Sequence, residues 1–269
     1  MLGELLENVR KTTPLVHSIT NYVTANDCAN ALLAVGASPV MADDIDDIRD
    51  IIPKSASLNI NIGTLHKETI KSMTEAGRIS NRLGNPVILD PVGSGASALR
   101  TETAKGLIRE IKFSAVKGNI SEIKSLTSGI NTSKGVDAGL SDSLTNETIH
   151  FAEEFSESTG AIIIITGKND LVTDSRNTYI VRNGHPMMSK VTGTGCMLSA
   201  VTAAFMGANK NCPFMACMAA VCAFGLCGEI AFSRLKERDG NAAYRNYIID
   251  ELYNLSPKNL EEGAKYEVR

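Results

Sequence analysis

The chain has 269 residues and a formal net charge of −3 at pH 7, with 27 basic and 30 acidic side chains. Its length predicts one α/β domain over residues 1–269, large enough to bury a substantial core. The net charge is near neutral, and no Lys/Arg cluster stands out in the sequence. Only 5% of residues are aromatic, and there is no Trp. These features argue against nucleic acid as a partner, whether bound through phosphates or through stacked bases.

The two segments that raise the question of a membrane both argue against one. Residues 1–11 carry charges throughout and lack the apolar core of a signal peptide. The longest charge-free apolar run, residues 213–228, is too short for an ordinary membrane span and is followed by Glu229. We therefore expect a cytoplasmic protein without membrane attachment.

The apolar and polar residues alternate in the pattern of an α/β protein. In chain order the predicted elements are helices over 2–10 and 23–33, a strand over 37–41, a helix over 45–52, a strand over 58–62, a helix over 69–83, a strand over 86–89, a helix over 101–111, a strand over 113–116, a helix over 144–158, a strand over 161–165 and a hairpin over 171–173 and 179–182. Residues 196–252 are nearly all helical, and the charged tail 257–269 suits partial disorder. We predict a mostly parallel central sheet with helices on both faces and a helix-rich C-terminal third.

Four cysteines recur every five residues in the C-terminal third: Cys212, Cys217, Cys222 and Cys227. A step of five residues turns a helix position by about 140°, so these thiols point in four directions. They cannot converge on one metal ion, and the chain has no CxxC pair. Buried, unreactive thiols are the favoured interpretation.

Polar residues follow four of the predicted strands, where ligands of open α/β sheets bind. Asp90 follows the strand over 86–89, and Thr166 follows the strand over 161–165. The strand over 113–116 is followed by a cation, an amide and a carboxylate, namely Lys117, Asn119 and Glu122. Each has a plain alternative, since Asp90-Pro91 forms turns and Glu122 caps helices, but together they indicate a ligand site.

The fourth segment, Val-Thr-Gly-Thr-Gly-Cys at residues 191–196, leads directly into an apolar helical run. Gly193, Thr194 and Gly195 favour a helix N-terminus, whose free N–H groups and positive dipole end can hold a phosphate. Cys196 falls in the first helical turn, beside that positive end. Carboxylates for a metal, a lysine and hydroxyls for phosphate and an anion-binding helix end together indicate phosphoryl transfer, whose catalysis is mostly positioning and electrostatics.

These same segments resemble the hydroxyethylthiazole kinases of thiamine salvage, within the ribokinase-like superfamily. The resemblance covers nearly the whole chain and is carried by PLVHSITNYV at 14–23, GASPVMA at 36–42, NIGTL at 61–65, DPVGSGA at 90–96, GNISEI at 118–123, ITG at 165–167 and VTGTGCML at 191–198. The Gly-Thr-Gly-Cys ending is discriminating, because most ribokinase-like relatives have Asp where this chain has Cys196.

The resemblance implies transfer of the γ-phosphoryl group of ATP to the primary alcohol of 4-methyl-5-(2-hydroxyethyl)thiazole, with Mg²⁺. It implies that Asp90 and Glu122 hold or orient the Mg²⁺, partly through water. It further implies ATP contacts from Lys117, Thr166, Asn119 and Thr194, an anion hole of Gly193 and Gly195 beside Cys196, and thiazole contacts from Met41, Asn21 and Gly193. The family forms homotrimers with the thiazole pocket between subunits, so a homotrimer is expected.

Two residues leave alternatives open. The family usually has Arg where this chain has Lys117, so the charge is kept and the bidentate geometry is lost, which predicts weaker nucleotide binding or a changed nucleotide preference. Cys196 is either a base for the alcohol, a positioning group, or a small residue in a tight turn. Two other functions also remain: a ribokinase-like kinase for another small alcohol, such as hydroxymethylpyrimidine or a sugar, and a catalytically silent binding protein.

Overall fold

One sheet of nine strands runs through the computed structural model, which describes residues 1–127 and 144–269. The strands are β1 (Leu15–Ile19), β2 (Ser38–Val40), β3 (Ser57–Asn61), β4 (Val87–Asp90), β5 (Ala115–Asn119), β6 (Ile162–Thr166), β7 (Asp170–Thr173), β8 (Thr178–Val181) and β9 (Tyr266–Val268). Their order is β2-β1-β3-β4-β5-β6-β7-β8-β9. The strands from β2 to β6 in this order pair in parallel, whereas β7, β8 and β9 add on as antiparallel neighbours.

Helices cover both faces of this sheet, so the predicted α/β fold is confirmed. They are α1 (Leu2–Thr12), α2 (Ala25–Val35), α3 (Ile45–Ile51), α4 (Lys67–Leu83), α5 (Ala98–Glu110), α6 (Ile120–Thr127), α7 (Asn146–Thr159), α8 (Thr194–Ala208), α9 (Pro213–Ser233), α10 (Asn241–Asn254) and α11 (Pro257–Gly263). One apolar core lies between the sheet and α1, α2, α8, α9 and α10, and the other lies between the sheet and α3 to α7. Burial on both faces explains why β6 is a continuous isoleucine run.

The long apolar helix α9 packs inside the protein. The helix continues through Glu229 to Ser233 and is therefore longer than the charge-free run alone. Its 21 residues suffice, by length and composition, to cross a membrane. However, 78% of its most apolar window is buried, against α1, α8 and α10. Cys217, Cys222 and Cys227 are buried as predicted, and burial raises the pKa of Cys222 to about 12. Cys212 precedes the helix and is only partly buried.

Most predicted elements differ from the observed ones by one to three residues at their ends, and two differences have a clear physical cause. The strand expected over 113–116 is β5, Ala115–Asn119, so Lys117 and Asn119 lie in the strand rather than after it. Lys117 fits there because its charge is paired inside the protein. The tail expected to be partly disordered forms α11 and β9, because Tyr266 and Val268 pair with β8.

Candidate functional site

The carboxyl ends of the parallel strands bring most of the predicted site residues to one edge of the sheet. Asn21 follows β1, Met41 follows β2, Asp90 ends β4, Asn119 ends β5 and Thr166 ends β6. The N-terminus of α8, with Gly193 and Cys196, comes to the same edge, since Cys196 contacts Asn21 and Gly195 contacts Lys117. This is where a doubly wound sheet binds its ligands.

A tight turn precedes α8. Gly193 has φ +85°, in the left-handed region, and a Cβ at this position would overlap the Cγ2 methyl group of Thr24. The first helical hydrogen bond is donated by Met197 N–H to the Gly193 carbonyl, at 2.8 Å. The N–H groups of Thr194, Gly195 and Cys196 precede it, and these are the groups that a helix leaves for an anion. The Thr194 hydroxyl is turned back, donating to the Met188 carbonyl at 3.3 Å.

Cys196 lies in this first turn and is 8% exposed. Its Sγ accepts a hydrogen bond from the Asn21 amide at 3.3 Å. The Asn21 oxygen accepts from the backbone N–H and the hydroxyl of Thr24, both at 3.0 Å. Thr24 thus supports both Asn21 and the Gly193 turn, a role that the sequence alone did not indicate.

Asp90 and Lys117 form a buried ion pair beneath the α8 N-terminus. Lys117 Nζ lies 3.2 Å from Asp90 Oδ1 and 3.0 Å from the Gly195 carbonyl, and the two side chains are 4% and 0% exposed. Burial raises the pKa of Asp90, although Lys117 opposes the change. Burial by itself would lower the pKa of Lys117, but attraction to Asp90, Cys196 and Glu122 outweighs it and the pKa is raised. The lysine is therefore charged at neutral pH.

Two further residues bind Asp90, and sequence reasoning missed both. Ser199 Oγ donates to Asp90 Oδ2 at 2.7 Å from the second turn of α8. The Asn61 amide donates to the same oxygen at 2.9 Å from the end of β3. In the sequence, Asn61 lies in the predicted strand over 58–62 and in the NIGTL segment, without a predicted role at the site. The strand is covered on both faces, so Asn61 needs a partner inside the protein and finds it in Asp90.

Glu122 connects two loops at the edge of the sheet. Its carboxylate accepts from the Gly93 N–H at 2.9 Å and from the Asn119 N–H at 2.8 Å. In turn, the Asn119 side chain accepts a hydrogen bond from the Glu122 N–H at 2.9 Å. Within residues 1–127 and 144–269, no three His, Cys, Asp or Glu side chains gather as ligands for a metal. Glu122 and Asp90 therefore do not form a closed metal cage.

A pocket of about 390 Å³ lies beyond the ends of β5 and β6. Asn119 and Thr166 line it, together with Ser121, Gly167 and Lys168, whereas Lys117 lies beneath α8 and does not. The Gly167 N–H donates to Asp170 Oδ1 at 2.9 Å, which fixes the loop. Burial raises the pKa of Asp170 to about 7, although this hydrogen bond and the charge of Lys117 both act to lower it.

Met41 is half-buried at the other end of the site. It packs against the core that contains α8, and His17 fixes the segment that follows it. His17 Nε2 donates to the Ala42 carbonyl at 2.7 Å, and burial lowers the pKa of the histidine. Most of the predicted residues thus fall into three groups: Asn21, Gly193, Thr194, Gly195 and Cys196 at the α8 N-terminus, Asp90 and Lys117 beneath it, and Asn119 and Thr166 in the pocket. Met41 lies apart, against the core, and Glu122 contacts Gly93 and Asn119.

Known proteins share both the sequence and the fold. A model of the hydroxyethylthiazole kinase family matches residues 6–258. A hydroxyethylthiazole kinase of Clostridium acetobutylicum is 57% identical and covers 99% of both chains. One of Ruminiclostridium cellulolyticum is 46% identical over 98% of this chain and 96% of its own length. The solved hydroxyethylthiazole kinase protein of Pyrococcus horikoshii OT3 has a TM-score of 0.89 at 34% identity, covering 100% of this chain and 98% of that one. A pyridoxal kinase of Staphylococcus aureus shares the fold, with a TM-score of 0.62 at 17% identity, over 95% and 97% of the two chains.

Proposed function

Because this chain belongs to the hydroxyethylthiazole kinase family, we propose that it phosphorylates hydroxyethylthiazole. The γ-phosphoryl group of ATP passes to the primary hydroxyl of 4-methyl-5-(2-hydroxyethyl)thiazole, in a salvage step of thiamine biosynthesis. The observation that carries this proposal is the N-terminus of α8, where three leading N–H groups and Cys196 lie directly above a buried Asp90–Lys117 pair. Such an arrangement stabilises the negative charge that develops while a phosphoryl group passes from one oxygen to another.

Each group of site residues has a proposed role. Thr166 and Asn119 line the nucleotide pocket, and Thr194 and Lys117 act on the phosphates at the N-terminus of α8. Gly193 and Gly195 form the anion hole around the transferred group, because their backbone leaves N–H groups free of the helix. The thiazole ring contacts Met41, Asn21 and the backbone at Gly193.

The carboxylates fit Mg²⁺ bound mainly by phosphates and water. Mg²⁺ commonly keeps several waters and takes only one or two carboxylates from the protein. Glu122 is partly exposed and already accepts two backbone N–H groups, and Asp90 is fully enclosed by Lys117, Ser199 and Asn61. Glu122 would therefore orient the ion's waters directly, and Asp90 would do so on exchanging one of its present partners for such a water. Mg²⁺ would neutralise the charge that develops on the phosphates.

In the transfer step, the alcohol oxygen forms a bond to the γ-phosphorus while the bond from phosphorus to the β–γ bridging oxygen breaks. ADP leaves with that electron pair, and the alcohol proton passes to a phosphate oxygen or to water. Because the transition state is loose, the alcohol need not lose its proton first. Cys196 accordingly positions the hydroxyl beside the α8 N-terminus.

We further propose a cytoplasmic homotrimer of single-domain chains, with thiazole pockets at the subunit boundaries. Tyr22 and Val23 support a boundary there, because they follow Asn21 directly and are 75% and 58% exposed. An exposed apolar surface next to the proposed thiazole contact Asn21 is suited to a second subunit. Light scattering of the purified chain tests the trimer, and a monomer at micromolar concentration would contradict it.

The activity is tested by coupling ADP release to a spectrophotometric assay with ATP, Mg²⁺ and hydroxyethylthiazole, with the product identified by mass. We expect turnover that depends on the thiazole and a product heavier by one phosphoryl group. A panel with hydroxymethylpyrimidine and small sugars measures acceptor preference. Preference for another alcohol would replace the substrate, and turnover of none by folded protein would overturn the kinase function.

A further inference from the structure

A continuous row of hydrogen bonds joins Cys196 to Asp90 beneath α8, through two asparagine side chains. We propose that Asn61, the asparagine next to Asp90, is a positioning residue that couples the carboxylate to Cys196. This inference rests on the proposed function, because it assigns a role in the same phosphoryl transfer. Asn61 itself does not line the nucleotide pocket, and its side-chain hydrogen bonds within the described residues go to Asn21, Gly63 and Asp90 rather than to Cys196.

The first amide in the row has one possible orientation. The Asn21 oxygen lies 3.0 Å from the Thr24 backbone N–H, which can only donate. The Asn21 NH₂ group must therefore face the other way, toward Cys196 Sγ at 3.3 Å and Asn61 Oδ1 at 3.0 Å. The sulfur is thereby an acceptor in this row.

The second amide is oriented by the same logic. Asn61 Oδ1 accepts from the Gly63 N–H at 2.9 Å, as well as from Asn21. Its NH₂ group must then face Asp90 Oδ2, at 2.9 Å. Two backbone N–H groups thus set the direction of the whole row, with one donor directed to the sulfur and one to the carboxylate.

Burial makes this row stiff. Asn61 and Asp90 are fully buried, and Asn21 is 3% exposed, so water does not compete for the hydrogen bonds. Gly63 packs closely against the row, since a Cβ at this position would lie 3.0 Å from both Asn61 Oδ1 and Asn21 Cβ. A displacement of Asp90 therefore reaches Cys196 through three hydrogen bonds, of 2.9, 3.0 and 3.3 Å. Asn61 holds both ends in register with the α8 N-terminus.

The chain provides a matched control on the same strand. Asn59 lies two residues before Asn61 on β3, so both side chains point to the same face of the sheet, and both are fully buried. Unlike Asn61, Asn59 has no hydrogen-bond partner for either side-chain polar atom within the described part of the chain. Asn61→Ala and Asn59→Ala therefore remove the same atoms from similar surroundings, but only the first breaks the row.

The experiment compares kcat and KM of Asn61→Ala, Asn59→Ala and the parent with ATP and hydroxyethylthiazole. Removing a residue that orients a site residue through a hydrogen bond lowers activity on the order of 10- to 100-fold. We expect this loss in kcat for Asn61→Ala, with both KM values within about threefold of the parent. Asn59→Ala should keep kcat within about threefold. Equal kcat losses in the two variants, or a loss confined to KM, would overturn the proposal.

Alkylation of Cys196 by iodoacetamide, located by mass spectrometry, gives a readout that does not depend on the substrate. We expect Asn61→Ala to slow it by about threefold or more, which corresponds to part of one hydrogen bond, and Asn59→Ala to leave it unchanged. This separates the two hypotheses: a parent without thiazole turnover contradicts the proposed function, and the alkylation rates still decide the coupling. Asn61→Ser is the second variant. If neither Asn61 variant folds while Asn59→Ala does, Asn61 is structural and the proposal fails.

Discussion

The Asp90–Lys117 pair gives the sharpest test of the site's construction, through the variant Lys117→Met. Methionine keeps most of the length and volume of the side chain but removes its charge. Lys117 Nζ would no longer bind Asp90 Oδ1 or the Gly195 carbonyl, which lie 3.2 and 3.0 Å away. Because both side chains are almost completely buried, no water replaces the lost partner. Asp90 would be left as a buried carboxylate held only by Asn61 and Ser199.

Removing one member of a buried ion pair costs about 3–5 kcal/mol, because the remaining charge is uncompensated. The two remaining donors place this variant near the lower value, about 3 kcal/mol. In domains of about 150–250 residues, close to the size of this chain, each kcal/mol shifts Tm by about 2–4 °C, so we expect a fall of about 6–12 °C. Asp90→Asn in the same chain removes the stranded charge and should restore part of this loss.

The assay is thermal unfolding without nucleotide, at one fixed chain concentration because subunit assembly affects Tm. The control is Arg78→Met, which breaks the shorter but exposed pair of Arg78 and Glu110, at 2.7 Å with side chains 52% and 46% exposed. Exposed pairs contribute about 0–1 kcal/mol, so its Tm should fall by less than about 4 °C. Equal shifts for the two variants would refute the argument that burial, rather than distance, determines the cost.

Three other predictions concern single positions. Cys196→Ala should keep measurable kcat and Cys196→Asp should be active; a folded alanine variant without turnover would make the thiol essential. Gly193→Ala should destabilise the protein by at least about 1 kcal/mol, because the backbone at Gly193 has φ +85°. The control Gly240→Ala should not, because Gly240 has open space around it and φ −110°. Equal Tm values for the two variants would contradict this. The folded Asp170 carboxyl, with a pKa of about 7 against 3.8 in the unfolded chain, keeps its proton between about pH 4 and 7, so its contribution to stability falls as pH rises through that window. Asp170→Asn should therefore gain Tm relative to the parent from pH 5 to pH 8, and a constant difference would refute the assignment.

The parallel part of the fold was predictable because its strands are buried on both faces. The run Ile162–Ile165 is apolar at every position, and the turns after the strands carry Gly, Pro and polar residues. The strand β9 was not predictable, because Tyr-Glu-Val is short, charged and exposed. It forms by pairing with β8, more than 80 residues earlier, a contact that no local pattern contains.

The site was predictable at the level of strand ends and not at the level of contacts. Asp90 was identified because it follows a predicted strand, and Cys196 because it falls in the first turn of a predicted helix, after a glycine-rich turn. Asn61 and Ser199 were missed, because a polar residue in an alternating strand or in a helix usually faces water. Their role depends on α8 lying across the ends of β3 and β4, which is a tertiary arrangement. Buried polar partners become visible only once packing is known.

The position of Lys117 explains why a compact cation suits this chain. Its Nζ contacts the Gly195 carbonyl from beneath, and a Cβ on Gly195 would lie only 3.1 Å from that nitrogen. The Gly195 carbonyl and the Cys196 N–H belong to one planar peptide unit and point in opposite directions. The Gly195 carbonyl faces Lys117, so the Cys196 N–H faces away from it, toward the N-terminal end of α8. A broad guanidinium would need more room beneath the glycine, whereas an ammonium serves Asp90 and the peptide unit from a single point. In the proposed phosphate site, the lysine would therefore act through its contact with the backbone of α8 as well as through its charge.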